Sequence, residues 1–210
     1  LMNFVSKEGR SMSHGLDSEL ITAQSQATEI PMVQRKVTWD TYEQEFKTAI
    51  RELKQTGIDA AVFGDISNIA GHEGWIDRVC SESGIKPIKP LWGLNPEQIL
   101  TGFIDEGFEA IVVNVKADLF SREWLGRKVD RNLLSDLRKL KVEANIHVCG
   151  ELGEYHTFVT DGPLFKKSLK VLNSVEVLKR GYWFLDITRY ETIEKRFHKG
   201  GKRFYEPKTT

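Results

Sequence analysis

Apolar and polar positions follow two rhythms along this chain, and the change between them divides it. Met2 to Val5 is a short apolar run closed by the polar, glycine-containing stretch Ser6-Lys7-Glu8-Gly9-Arg10, which predicts a strand and its loop. A helical pattern runs from about Leu16 to Thr28, and Ile30-Pro31-Met32-Val33 predicts a second short strand. The clearest helix spans Asp40 to Gln55. There Tyr42, Phe46, Ile50 and Leu53 recur at three-to-four spacing, Asp40 and Glu43 have the spacing of a capping box, and Gly57 ends the run. Ile58 to Phe63 is apolar apart from Asp59, the composition of a strand buried on both faces of a parallel sheet. A helix over roughly His72 to Ser83 and a strand near Pro87 to Leu91 complete the alternation. That order predicts a parallel, doubly wound sheet.

The pattern changes after Trp92-Gly93-Leu94-Asn95-Pro96, which predicts a domain over 1–93 and another over 94–210. In the second, Pro96 to Glu106 reads as a helix and Ala110 to Lys116 as an apolar strand. Asp130 to Lys141 reads as an amphipathic helix with Leu133, Leu134, Leu137 and Leu140 on one side. From Val175 the period becomes two, and Lys179-Arg180-Gly181 marks a turn before Trp183, Leu185 and Ile187. The fold class is therefore α/β, a parallel sheet followed by a smaller mixed α/β domain with an antiparallel hairpin near its end.

Composition narrows the function classes. With 30 Lys+Arg against 30 Asp+Glu the chain is neutral, which argues against a nucleic-acid binder working by bulk electrostatics. Two cysteines are too few for a disulfide framework or a cysteine-rich metal site. No apolar run of about 18 residues exists, and no charged-then-apolar leader opens the chain. A cytoplasmic location without membrane attachment is expected.

The densest polar constellation is Cys149 to Pro163. It gathers Glu151, Glu154, Tyr155, His156, Thr157, Thr160 and Asp161 among three glycines. Glutamate and histidine close together can orient a nucleophile or move a proton, although a polar loop leading into a strand and closed by Asp161-Gly162-Pro163 reads the same way. Gly64-Asp65 follows the apolar strand Ile58 to Phe63 at the carboxyl edge, where open parallel sheets bind ligands; the alternative is a turn or capping aspartate. His72 and Trp75 share a helix face. Ser6 to Gly15 could line a nucleotide pocket or form a surface loop, and Lys195 to Lys208 is a basic tail with interleaved aromatics. Cys80 reads as core. His147, His156, Cys149 and Glu151 are the only zinc-like grouping, and strand alternation would split them between faces, so no metal ligands are assigned.

Gly150 to Phe165, Gly-Glu-Leu-Gly-Glu-Tyr-His-Thr-Phe-Val-Thr-Asp-Gly-Pro-Leu-Phe, closely resembles the signature of the diphthine–ammonia ligase family, the diphthamide-synthesis branch of the N-type ATP pyrophosphatases. Asn3 to Gly15, Phe63-Gly64-Asp65-Ile66 with His72 and Trp75, Pro90-Leu91-Trp92-Gly93, and Trp124-Leu125-Gly126-Arg127 with Asp130 match in the same order. The resemblance implies a Rossmann-like nucleotide-binding domain of the HUP type followed by a family-specific α/β domain. It also implies a reaction. ATP adenylates a carboxylate, pyrophosphate leaves, and ammonia displaces AMP to give an amide; the acceptor is diphthine on translation elongation factor two, or another carboxylate in bacteria.

ATP and Mg2+ are the implied cofactors, ammonium and the acceptor carboxylate the implied partners, and a homodimer is compatible. Ser6, His14, Gly64 and Asp65 would lie near the nucleotide. Glu151, Glu154 and His156 would be catalytic, with Tyr155, Thr157 and Asp161 toward the acceptor. Two departures stand out. The family's Ser-Gly-Gly-Lys-Asp-Ser phosphate loop is absent, so a chain opening at Leu1 reads as most of a longer one and, as given, not as a competent pyrophosphatase. Leu152 also stands where the family motif commonly has glycine. The alternatives are a non-catalytic ATP- or AMP-binding module and an amide ligase for a small metabolite.

Overall fold

The computed structural model describes residues 1–12, 14–67 and 73–195. The expectations for His72 and for the tail beyond Lys195 lie outside the described residues. The elements run β1 (Met2–Val5), α1 (Ser18–Thr28), β2 (Val33–Lys36), α2 (Tyr42–Gln55), β3 (Ala60–Val62), α3 (Trp75–Ser83), β4 (Lys86–Ile88), α4 (Pro96–Asp105), β5 (Glu109–Lys116), α5 (Arg131–Ala144), β6 (Tyr155–Asp161), β7 (Lys167–Lys179) and β8 (Tyr182–Glu194). A single 3-10 turn, Arg122–Trp124, follows β5. The fold is mixed α/β with parallel strand pairing in the first half, as the alternating pattern predicts.

Local chemistry sets most element ends. Asp17 caps α1 by accepting the Glu19 N–H at 2.8 Å. Asn95 accepts the Glu97 and Gln98 N–H groups ahead of α4, with Pro96 in its first turn, and Asp130 accepts the Leu133 N–H ahead of α5 at 2.9 Å. Each satisfies N–H groups that a helix start leaves without a partner. The Asp40/Glu43 capping box does not form. Thr41 is the N-cap without a side-chain bond, because Glu43 is engaged elsewhere by Lys47, Arg78 and the Trp75 indole N–H.

The parallel strands form two pairs, β1 with β2 and β3 with β4, rather than one continuous sheet. The pairs are joined through a shared apolar cluster, Phe4, Val37, Phe46, Ile50, Val79, Cys80 and Ile85, which α2 and α3 pack against both. Cys80 is fully buried there. Two strand readings change accordingly. β2 begins at Val33, past Pro31, and takes in the polar Gln34, Arg35 and Lys36, which carry no apolar signal. β3 is not buried on both faces, since Ala60 and Ala61 are half-covered and Val62 is 70% exposed. It pairs with β4 alone among the described strands.

The second half is a four-stranded antiparallel sheet in the order β6-β5-β8-β7. Arg180 (φ 52°) and Gly181 (φ 80°) make the two-residue turn between β7 and β8, the left-handed pair that a tight hairpin needs. α5 buries Leu133, Leu134 and Leu137 in the same apolar core as Val112, Val113, Val115, Tyr155 and Phe158.

Helix α1 joins the halves. Its Leu20, Ala23 and Ala27, with Leu16 before it, belong to the core of the four-stranded sheet and not to the cluster around β1 to β4. The Gln24 side chain donates to Val159 O at 2.7 Å, and Lys166 N–H donates to Ala27 O at 2.7 Å. Ahead of α1, the Arg10 guanidinium grips Asp186 of β8 through two 2.9 Å bonds and also donates to Gly15 O at 3.1 Å. Gly15 sits at φ +69° against Phe184, whose ring would lie 2.7 Å from any added Cβ. The loop from Ser6 to Asp17 is therefore strapped onto the C-terminal sheet.

Two stability changes follow from this bridge, both measurable by denaturant unfolding. Leu20→Ala is expected to cost about 2–5 kcal/mol, the range for a buried leucine, although residue 20 lies far from the C-terminal sheet in sequence. Arg10→Ala is expected to cost about 1 kcal/mol, since its ion pair is only partly shielded from solvent.

Candidate functional site

The site grows from a turn. Between Ile146 and Tyr155 the chain folds back on itself, with Gly150 N–H bonding His147 O at 2.8 Å and Gly153 N–H bonding Gly150 O at 3.0 Å. Glu154 is 4% exposed, and its carboxylate accepts the His147 N–H at 2.6 Å and the Leu152 N–H at 2.9 Å. The His147 Nδ1 accepts the backbone N–H groups of Cys149 at 3.3 Å and Glu151 at 3.4 Å. Tyr155 OH closes the turn by donating to Val148 O at 2.6 Å. Gly150 has φ +71°, and a Cβ there would meet Tyr155 O at 2.6 Å, so this position requires glycine.

This turn opens onto a cavity of about 540 Å³ between the two halves of the molecule. One wall is apolar, from Ile99, Leu100 and Phe103 on α4 together with Val129; the other is polar, from His14, Gly64, Asp65, Glu151, His156 and Thr157. The strap delivers His14 from the N-terminal side and β6 delivers His156, with ring centroids 4.9 Å apart. Asp65 comes from the loop after β3, placed at a strand's carboxyl end as the sequence pattern predicts.

Electrostatics separate the acidic groups. Burial raises the Glu151 carboxyl above its ordinary value, and the negative charges of Asp65 and Glu154 push the same way. A hydrogen bond from the Ile66 N–H and the neighbouring His147 act in the opposite direction. Burial lowers the His156 imidazole to about 4, helped by the nearby His14, whose own value burial also lowers. Both imidazoles are therefore neutral near pH 7. The Cys149 thiol, pushed up by burial to about 11, donates to Pro96 O at 3.1 Å and is no nucleophile. Burial also raises the Tyr155 hydroxyl, which stays protonated.

The residues singled out from sequence divide into two sets. His14, Gly64, Asp65, Glu151, Tyr155, His156 and Thr157 meet at this cavity. Glu154, Ser6 and Asp161 do not line it. Glu154 turns its carboxylate onto backbone N–H groups of the turn. Ser6 Oγ accepts the Glu8 and Arg10 N–H groups and shapes the strap. Asp161 pairs with Lys195 and its own loop at the far end of β6. The apolar wall from α4 and the supporting role of His147 went unread in the sequence. The Ile99, Leu100, Phe103 spacing was visible, but an apolar helix face ordinarily signals core, and nothing local says that it lines an opening.

Comparison with known proteins adds the family. Residues 1–87 match the diphthamide synthase N-terminal domain and residues 95–196 match the diphthamide synthase C-terminal domain. A bovine diphthine–ammonia ligase is 36% identical over 104 residues, covering 49% of this chain and 38% of the relative. The human protein of the same name is 32% identical over 120 residues, covering 57% of this chain and 45% of the relative. The one from Schizosaccharomyces pombe is 36% identical over 104 residues, covering 50% and 17%. The chain thus spans less than half the length of these relatives. With both domain models matched in order across nearly all of its length, the chain belongs to the diphthamide synthase family.

Proposed function

We propose that the protein forms an amide by ATP-dependent ligation, adenylating an acceptor carboxylate and transferring ammonia to it with release of AMP and pyrophosphate. The observation that carries this reading is the convergence, in one cavity between the two halves, of the Glu151 and Asp65 carboxyls with the His14 and His156 imidazoles. Relatives of this chain are named diphthine–ammonia ligases, which favours diphthine, on a protein acceptor, as the carboxylate.

A carboxylate oxygen of the acceptor attacks the α-phosphorus of ATP and pyrophosphate leaves. The ammonia nitrogen then attacks the acyl carbon, the bond to AMP breaks, and the nitrogen sheds a proton. Ammonia arrives mostly as ammonium, so a base must also remove a proton before attack. Glu151 suits both tasks. Its negative charge attracts ammonium, and its raised pKa makes it a better proton acceptor than an ordinary carboxylate. Neutral His14 and His156 add hydrogen-bonding capacity without a positive charge that would repel ammonium. Thr157 supplies a hydroxyl for the acceptor on the same wall.

ATP brings its own requirement. Among the described residues the charged side chains lining the cavity are acidic, with no lysine or arginine, so these residues offer the ATP phosphates no cationic grip. Magnesium keeps most of its water and takes one or two carboxylates beside phosphate oxygens. Asp65 and Glu151 fit that donor set, and no cluster of three or more metal-ligating side chains exists among the described residues to cage an ion alone. Bound there, magnesium would neutralise charge building on the departing pyrophosphate. Asp65 is the closer match, because Glu151 is needed free for ammonium.

Three outcomes test the reading in the full-length protein. Glu151→Gln should lower amide formation by about 10²-fold or more, the scale of a lost acid–base group, while ATP–pyrophosphate exchange survives; full amide formation would sink the assignment. Glu154→Ala should instead act through the turn. Two partly buried N–H groups lose a charged acceptor, costing about 1–3 kcal/mol in total in thermal or denaturant unfolding. In the pH profile of kcat/KM, activity should fall as Glu151 becomes protonated, at a pH above the ordinary glutamate value. Asp65→Asn should move that limb to lower pH by removing a charge that raises Glu151, and His156→Gln should leave the limb in place.

A further inference from the structure

His147 is half-buried and does not line the cavity, yet its imidazole is committed to the turn that does. Ile146 and Val148 on either side of it are 4% and 1% exposed and belong to the core of the four-stranded sheet. Anchored by both neighbours, His147 presents its Nδ1 to the residues that follow, accepting the Cys149 N–H at 3.3 Å and the Glu151 N–H at 3.4 Å. The Glu154 carboxylate makes a second brace, from the His147 N–H to the Leu152 N–H. The two braces have different reach. Glu154 ties residues 147 and 152, neither of which lines the cavity. His147 ties Cys149 and Glu151, the two non-glycine residues between 147 and 154 that do line it.

This geometry also fixes the state of the ring. A ring nitrogen accepts a hydrogen bond only when it carries no proton. Two backbone N–H groups aimed at Nδ1 therefore select the neutral imidazole with its proton on Nε2. A proton on Nδ1 would face two other N–H groups and leave both without their acceptor. Glu151 has one further tie, because its carboxylate accepts the Ile66 N–H from the loop after β3, beside Asp65. Its backbone is held by His147 in one half of the molecule and its carboxyl by Ile66 in the other.

We propose that His147 is a positioning residue for ammonia transfer, its unprotonated Nδ1 fixing the backbone of Glu151 so that the carboxyl is presented to ammonium. The inference rests on Glu151 as the proton acceptor described above, and His147 acts only through it.

Amide formation and ATP–pyrophosphate exchange by the full-length protein test this with three replacements. Asn carries an acceptor oxygen on the carbon that bears Nδ1 in His, and such an oxygen readily takes the N–H two residues on. His147→Asn should therefore retain most of the activity. His147→Gln places its acceptor one atom further out, and His147→Leu has none. Both should lower kcat for amide formation by about tenfold or more, the scale of a misplaced reacting group, while the KM for ATP and the exchange reaction stay unchanged. In a Glu151→Gln background His147→Leu should cause no further loss, since nothing is left to position. Nitrogen-15 NMR of the His147 ring in the unsubstituted protein reads the tautomer directly, and it decides the matter if circular dichroism shows a variant to be misfolded. The expected proton lies on Nε2. A proton on Nδ1, rescue by Gln instead of Asn, an additive loss in the double variant, or full activity in His147→Leu would each overturn this proposal alone, whereas full amide formation in Glu151→Gln would overturn it together with the reading beneath it.

Discussion

The site depends on one packing decision, the burial of α1 against the four-stranded sheet rather than against the parallel strands that flank it in sequence. Leu16, Leu20, Ala23 and Ala27 place the first helix in the core of the second half. The Arg10–Asp186 fork and the Gly15–Phe184 contact then hold the preceding loop on β8. Without that docking His14 would not stand opposite His156. The cavity would keep only the walls contributed by residues 64–65, α4 and the turn after Ile146. The two halves make the site by exchanging an element, not by touching edge to edge.

In the turn that borders the cavity, two glutamates three positions apart face different surroundings. Glu154 is buried and spends its oxygens on the His147 and Leu152 N–H groups. Such charge-assisted bonds to backbone are among the stronger single interactions available to a turn. Glu151 is carried by that turn into the cavity, where burial and two neighbouring carboxylates raise its pKa. One carboxylate builds the geometry and the other takes the consequence of it. Burial disfavours the cationic forms of His14 and His156, which leaves the raised Glu151 pKa in place, because a cationic imidazole beside Glu151 would lower it.

The secondary structure was largely legible from sequence because apolar periodicity is a local signal. α2, α4, α5, β5 and the hairpin turn at Arg180-Gly181 all lie where spacing and turn chemistry put them. What periodicity cannot carry is partner choice. The apolar faces of α1 and β3 look alike as sequence, yet α1 is buried by the distant sheet, while Val62 of β3 stays open and the parallel strands form two separate pairs. The capping pattern at Asp40 and Glu43 failed for a similar reason, since Glu43 is drawn into a network with Lys47, Trp75 and Arg78 that lies outside the helix start. The motif from Gly150 to Phe165 contributes Gly150, Glu151, Gly153, Tyr155, His156 and Thr157 to the cavity lining. It could not distinguish Glu151 from Glu154, because the two differ only in which way the folded turn directs them.

Glu151 is the central group, a carboxyl of raised pKa set beside Asp65 and Glu154. Carbon-13 NMR titration of its side-chain carboxyl in the full-length protein, assigned by its loss in Glu151→Gln, measures this directly. The expected midpoint lies above the ordinary glutamate value and moves down when Asp65 is replaced by Asn. A midpoint at or below the ordinary value, or one indifferent to Asp65, would contradict it.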